Sequence, residues 1–330
     1  MKIFFYFLRP YDELEVAKRL CAEAGIEFGY TTEYPSEANY HLAKGYDAVS
    51  VTPCDMGTKV VETFHELGVK YITGRSIGYD HIDVKRAHEL GMRVSNASYP
   101  PNGVANFAIM LMMMATRNVG EILRRGVVQD FTLKGKIGRD ITGQTIGIIG
   151  TGKIGRTVIQ HLSGFGCKLL CYDLYQDAET AKLATYVSLD ELLRESDIIT
   201  LHCNVTEESD HLLGAEAFAK MKDGVVVVNT ARGKLINSKA LIAALKSGKV
   251  GAAALDVLED ENGLYYYDRV GDVIDNAEMA ELRSFPNVLL TSHTAFYTYD
   301  AVENMVKSSV ESALAFERGE SCIHEVGRAR

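Results

Sequence analysis

Gly150, Gly152 and Gly155 stand in the spacing G-x-G-x-x-G at the end of an apolar run, Thr145-Ile146-Gly147-Ile148-Ile149. The spacing has a physical use. The first glycine permits a tight turn, the second lets backbone approach a pyrophosphate, and the third lets a helix pack on a strand. The residues that follow have helical period, with Val158, Ile159, Leu162 and Phe165 on one face. Phosphates would therefore meet a helix N-terminus, with its unpaired N–H groups and positive dipole end. A second apolar run, residues 168–172, leads into Asp173, 18 residues beyond Gly155. That is close to the ~20 expected of the acid that binds the adenosine ribose of a dinucleotide.

Three further strand-like runs each end in residues fit for chemistry: Asn229-Thr230-Ala231-Arg232-Gly233, Asp256-Val257-Leu258-Glu259-Asp260-Glu261, and Ser292-His293-Thr294-Ala295. Open α/β sheets bind ligands just beyond their strand ends. Arginine grips a carboxylate with two parallel hydrogen bonds, histidine exchanges a proton near neutral pH, and a carboxylate orients an imidazole and favours its charged form. Together these are the parts an oxidoreductase acting on a 2-oxo acid needs. Other residues of the same types are assigned ordinary structural uses: His41, His65, His81, His88, His161, His211 and His324 as structural histidines, His202 as lining for a cofactor cleft, and Tyr265-Tyr266-Tyr267 as a loop packed on the sheet.

The elements that must position these residues are legible from periodicity. Strands are expected at residues 2–8, 48–51, 70–73 and 93–95, and helices at 11–24, 59–67 and 83–90. Each of those helices is followed by a glycine (Gly25, Gly68, Gly91), the usual C-terminal signal. After Tyr99-Pro100-Pro101, Asn102 is expected to cap one long helix over 104–128. Strands at 145–149, 168–172, 198–202, 225–229, 252–255 and 288–290 then alternate with helices at 189–195, 215–221, 239–247 and 276–283, before a last helix at 299–317. Such alternation means parallel sheets covered by helices.

With 330 residues the chain suggests two domains or one large one. A net charge of −9 argues against nucleic acid or an anionic membrane as a partner. Six cysteines without a C-x-x-C read as free thiols in a reducing compartment. The apolar start, residues 1–8, meets Arg9 and Pro10 and reads as a strand rather than a leader, and the apolar run 104–115 is shorter than the ~20 residues of a membrane span. A soluble cytoplasmic protein is the expectation, with no metal.

At these residues the chain resembles the D-isomer-specific 2-hydroxyacid dehydrogenases over nearly its whole length, most of all the D-lactate dehydrogenase branch. The resemblance rests on Arg75-Ser76-Ile77-Gly78-Tyr79-Asp80-His81-Ile82-Asp83, the glycine loop, the Asn229 and Leu255 segments, His293-Thr294-Ala295-Phe296-Tyr297-Thr298, and the loop over residues 262–276. It implies two doubly wound α/β domains: a flavodoxin-like substrate domain split between residues 1–100 and 298–330, and a Rossmann-like NAD domain over 101–297. It further implies that Arg232 holds the substrate carboxylate, His293 is the acid/base and Glu261 its partner. Ile77, Gly78 and Tyr99 would complete the substrate site. Lys153 and Ile154 would touch the pyrophosphate, Cys203, Asn204, Thr230 and Ala231 would line the cofactor cleft, and Asp256 would meet the nicotinamide amide. A homodimer is implied as well.

The implied activity is NAD-dependent reduction of a 2-oxo acid, pyruvate to D-lactate first. Larger 2-oxo acids (isocaproate, phenylpyruvate, glutarate) and an NAD-sensing corepressor are the alternatives. Ser292 and Asn204 stand where the family usually has proline, Asn106 stands where an acid is common, and Cys54-Asp55-Met56 lacks the aromatic that several lactate enzymes carry.

Overall fold

The computed structural model describes residues 1–261 and 263–327. They form two compact units, Met1–Pro100 joined by the segment from Tyr297 onward, and Pro101–Phe296. Asn262, the first residue of the loop expected over 262–276, lies outside the described residues, as do the last three of the expected C-terminal segment.

In the first unit, β1 (Lys2–Phe5), β2 (Glu27–Tyr30), β3 (Ala48–Val51), β4 (Tyr71–Gly74) and β5 (Arg93–Ser95) make a parallel sheet in the order 2-1-3-4-5. This is the flavodoxin-like order. The central β3 is buried along its whole length, as a strand covered on both faces must be. Helices α1 (Leu14–Ala24), α2 (Thr58–Glu66) and α3 (Val84–Glu89) cover the sheet. Gly25, past the end of α1, has φ 66°, and Asp83 caps α3 by accepting from the Arg86 N–H. β2 was not expected. Only its middle two residues are even half-buried, so it carries no apolar run.

The second unit opens with α4 (Asn102–Thr116) and α5 (Val119–Val127), where one long helix was expected. Pro101, not Asn102, occupies the cap position, and no side chain caps the helix. The break is imposed by chain about twenty residues downstream. The Arg139 N–H takes the Thr116 carbonyl at 2.9 Å, the Asn118 side chain donates to the Ile137 carbonyl at 2.7 Å, and Asn118 turns left-handed with φ 52°. α4 buries Ala105, Ala108, Ile109, Leu111 and Met112 against Ile146, Ile148, Val226 and Val228.

The strands β6 (Thr145–Ile149), β7 (Lys168–Tyr172), β8 (Thr185–Tyr186), β9 (Ile198–Leu201), β10 (Val225–Asn229), β11 (Val250–Leu255) and β12 (Val288–Leu290) form a second sheet, ordered 12-11-10-9-6-7-8 and parallel throughout. Helices α6 (Lys153–Leu162), α7 (Leu189–Glu195), α8 (Ala215–Lys220), α9 (Ser238–Lys246) and α10 (Ala277–Ser284) cross between them. The strand order reverses between β6 and β9, the switch point at which doubly wound sheets bind dinucleotides.

α11 (Tyr299–Glu317) belongs to the first unit. There Val306, Val310 and Ala313 pack with Ile3, Phe5, Ala17 and Cys21. Its Ser309 hydroxyl lies 2.7 Å from that of Ser50 and 2.6 Å from that of Thr73, all three buried. All six cysteines are free. No helix among the described residues is long and apolar enough to cross a membrane.

Candidate active site

The glycine loop joins β6 to α6 at the switch point. Gly150 has φ 95°, and a Cβ there would press on the His202–Cys203 backbone at 2.6 Å. A Cβ on Gly155 would overlap the Gly150 carbonyl oxygen, whereas the side of Gly152 is open. The first glycine therefore seats the turn against the chain just past β9, the third packs α6 on the turn, and the second leaves room above the N-terminus of α6, which no side chain caps. Lys153 and Ile154 are its first two residues.

Asp173, just past β7, accepts from the Thr151 N–H at 2.6 Å and the Tyr175 N–H at 2.9 Å. These bonds hold it beside the loop and leave acceptor capacity on a carboxylate that has about four lone-pair sites. On the other side of the turn, Cys203 is half-buried, Asn204 exposed and Ala231 half-buried. Thr230 is more than nine-tenths buried, and its hydroxyl has no partner among the described residues. A glycine cradle, an uncapped helix start, an acid beyond the next strand and an unsatisfied hydroxyl on the facing wall fit a dinucleotide.

His202, expected to line this cleft, is unsuited to proton exchange. Burial pushes its imidazole down to about 3, so it is neutral at physiological pH, with Nε2 2.9 Å from the Thr200 hydroxyl. Burial also pushes the Cys203 thiol up to about 11.

The other three loops are tied in series. The Asp256 N–H donates to the Asn229 carbonyl at 2.9 Å, and the His293 N–H donates to the Asp256 carbonyl at 2.7 Å. The Asn229 side chain brackets the first loop, accepting from the Ala231 N–H at 3.0 Å and donating to the Arg232 carbonyl at 2.8 Å. Gly233 packs so closely that a Cβ would overlap the Leu258 carbonyl, which brings the Arg232 loop against the acidic loop.

Asp256 is fully buried. Its carboxylate accepts from the Thr291 hydroxyl at 2.5 Å and from the Thr294 and Ala295 N–H groups at 2.9 Å each. The geometry thus gives Asp256 a use that was not expected from the sequence, fixing the loop that carries His293.

That loop presents the imidazole to Glu261. The His293 Nδ1–Glu261 Oε1 separation is 2.6 Å, with both side chains about one-fifth exposed. Glu261 Oε2 accepts from the Leu258 N–H at 2.9 Å. Glu259, two residues earlier, faces elsewhere: it meets His211 Nε2 at 2.5 Å and the Ser238 N–H at 2.7 Å. These hydrogen bonds outweigh partial burial and hold its carboxyl below the usual range. Since Glu261 is an acceptor, Nδ1 of His293 carries the hydrogen between them, and Nε2 is the nitrogen free for exchange. Arg232, partly buried, donates from Nη1 to the Ala231 carbonyl at 2.8 Å. Sequence reasoning missed the bracketing by Asn229, the close approach at Gly233 and the contact of Tyr266 with His293. The first two lie inside a motif already picked out for Arg232.

Ile77, Gly78 and Tyr99 are placed in the first unit, after β4 and β5. Buried Arg75 anchors the loop after β4 that carries Ile77 and Gly78, donating to the Glu13 carboxylate at 3.0 Å, the Ser50 hydroxyl at 2.9 Å and the carbonyls of Tyr6 and Phe7 at 2.9 Å. The Ile77 carbonyl accepts from the Asn96 side chain and the Gly78 carbonyl from the Ser76 hydroxyl.

A doubly wound sheet with a glycine loop that fits a dinucleotide, and with Arg232, Glu261 and His293 on adjoining loops, is the arrangement expected of a nicotinamide-type oxidoreductase. Residues 109–295 match the family model of the D-isomer specific 2-hydroxyacid dehydrogenase NAD binding domain. The chain is 40% identical over 328 residues to an aromatic 2-oxoacid reductase of Clostridium sporogenes, covering 98% of this chain and 99% of that protein. It is 38% identical over 333 residues to the D-lactate dehydrogenase of Escherichia coli K12, covering 99% and 100%. Among solved structures it resembles D-lactate dehydrogenase with NAD+ from Lactobacillus jensenii, with a TM-score of 0.84, 31% identity and coverage of 99% and 100%. The chain belongs to the D-isomer-specific 2-hydroxyacid dehydrogenases, and its cofactor is NAD.

Proposed function

We propose that the enzyme reduces a 2-oxo acid, pyruvate first among them, to the (R)-2-hydroxy acid with NADH, and catalyses the reverse. The observation that carries this is the Glu261–His293 contact at 2.6 Å, on a loop bonded in series to the one that presents Arg232. Arg232 grips the substrate carboxylate through its planar fork. In reduction His293 gives its Nε2 proton to the keto oxygen while Glu261 faces the imidazolium. In oxidation neutral Nε2 takes the hydroxyl proton. Bound NADH supplies the hydride. Of the cofactor contacts, Asp173 receives the ribose hydroxyls, the α6 N-terminus at Lys153 and Ile154 faces the pyrophosphate, and Cys203, Asn204, Thr230, Ala231 and Asp256 serve the nicotinamide half.

A second reading, reduction of larger 2-oxo acids, is favoured by the 40% identity to a protein named an aromatic 2-oxoacid reductase. The test is NADH oxidation by the pure enzyme with pyruvate, phenylpyruvate, 2-oxoisocaproate and 2-oxoglutarate. The highest kcat/KM with pyruvate is expected. A preference for phenylpyruvate, 2-oxoisocaproate or 2-oxoglutarate selects the second reading, and no turnover with any of the four removes both.

We also propose a homodimer. α5 buries none of its residues, and Val127, Leu133 and Ile137 are each more than four-fifths exposed. An apolar surface of this kind is rarely left bare on a monomer. A cytoplasmic location goes with the reading of free thiols.

A further inference from the structure

Tyr266 lies in a loop that the sequence reading assigned only to packing. It departs from ordinary backbone geometry, with φ 70°, as does His293, with φ 53°. At positive φ a bulky tyrosine is an outlier and a histidine is uncommon, and such conformations persist where the surroundings hold them. At His293 those surroundings can be named. Its N–H is taken by the Asp256 carbonyl at 2.7 Å, and the two N–H groups that follow are taken by the Asp256 carboxylate. Its carbonyl accepts from the Tyr266 hydroxyl at 2.9 Å. Asp256 therefore fixes the donors of this turn, and Tyr266 fixes the acceptor.

The same tyrosine also borders the imidazole. Its ring centroid is 5.9 Å from that of His293, and Phe296 stands 6.3 Å from His293 on an edge-on plane. Tyr266 and Phe296 are themselves 6.4 Å apart at 79°, the edge-to-face arrangement aromatic rings favour. Glu261 restrains the imidazole through one nitrogen only, which leaves rotation about that hydrogen bond to be limited by the two rings.

We propose that Tyr266 is a positioning residue for the proton donor: its hydroxyl holds the His293 peptide, and its ring, with Phe296, limits the swing of the imidazole. The proposal rests on the reading of His293 as acid/base. Tyr266 acts through His293, so its loss changes the fraction of bound complexes in which Nε2 faces the keto oxygen, and leaves the affinity for substrate and cofactor alone. A misplaced group costs rate in this way without entering the chemistry, and the signature is a fall in kcat at constant KM.

The experiment compares wild type, Tyr266→Phe, Tyr267→Phe and His293→Ala by steady-state kinetics with NADH and with 4-deuterated NADH, alongside thermal melts. Tyr266→Phe keeps the ring and removes the hydroxyl. Its kcat is expected to fall about tenfold with both KM values within about twofold, and its hydride isotope effect to rise as proton and hydride transfer become limiting. Its melting temperature should stay within about 4 °C of wild type. Tyr267→Phe, in the same loop, should match wild type. A Tyr266→Phe enzyme with wild-type kcat, a loss expressed in KM, or an equal loss in Tyr267→Phe overturns the proposal while an inactive His293→Ala leaves the reading of the site standing. An active His293→Ala removes that reading as well.

Discussion

At the scale of single residues, the same side chain acquires its role from what surrounds it. Two histidines follow strands of the second sheet. His293 sits at a partly exposed turn against Glu261, whereas burial holds His202 neutral down to about 3. The cost of His202 appears as pH-dependent stability. Unfolded histidine titrates near ~6.5. Its folded value is depressed, so the unfolded chain binds the extra proton between these values. The stability it contributes is complete above about pH 6.5 and is lost as pH falls toward 3. His202→Gln keeps a polar partner for Thr200 and abolishes this titration. Chemical denaturation between pH 4 and 6 should give a slope of stability against pH shallower by up to about 1.4 kcal/mol per unit in the variant. Identical slopes would mean that His202 is protonated in the folded protein. From sequence alone, residue type and position after a strand brought out Arg232, the acidic run Glu259–Glu261 and His293, and only the family resemblance chose Glu261 within that run. Residue type and position could not separate Glu261 from Glu259, because the difference lies in His211 and Ser238, residues brought in by other loops.

At the scale of elements, the sheets and most helices were legible because buried strands and amphipathic helices write their period into the sequence. β10 is buried at all five residues and reads as an unbroken apolar run. β2, an edge strand without a fully buried residue, and the two-residue β8 leave no such pattern. The α4–α5 break was invisible for another reason: the groups that stop the helix, near Ile137 and Arg139, lie about twenty residues downstream. Loop-to-loop packing is equally non-local. Gly233 read as part of a motif, but the contact that requires glycine is the Leu258 carbonyl. Gly233→Ala should push the Arg232 loop off the acidic loop. We expect kcat/KM for the oxo acid to fall at least about tenfold, equivalent to about 1.4 kcal/mol of transition-state stabilisation, with NADH binding less affected. Wild-type kinetics would show that the loop spacing is not critical.

At the scale of the whole molecule, the chain is two doubly wound units, with the glycine loop and Arg232, Glu261 and His293 all in the second. Leu123, Val127, Val128, Phe131, Leu133 and Ile137 are all exposed, and a second copy of the chain is the partner we propose for them. Light scattering should return twice the chain mass of 36.4 kDa. Leu123→Glu combined with Phe131→Glu should shift the species toward one chain. A monomer in the wild type would contradict the dimer and leave the site unaffected.

We propose that His293, faced by Glu261, moves the proton. Reduction uses the charged ring and oxidation the neutral one, so the two directions should have pH profiles of opposite slope. Glu261→Gln keeps the shape and removes the negative charge that faces the imidazole at 2.6 Å. Without that charge the imidazolium is disfavoured. The decisive measurement is kcat/KM against pH in both directions for wild type and Glu261→Gln. Both limbs are expected to move to lower pH in the variant, so that reduction fails first on the alkaline side while oxidation persists. Profiles that keep their wild-type limbs would contradict the proposal.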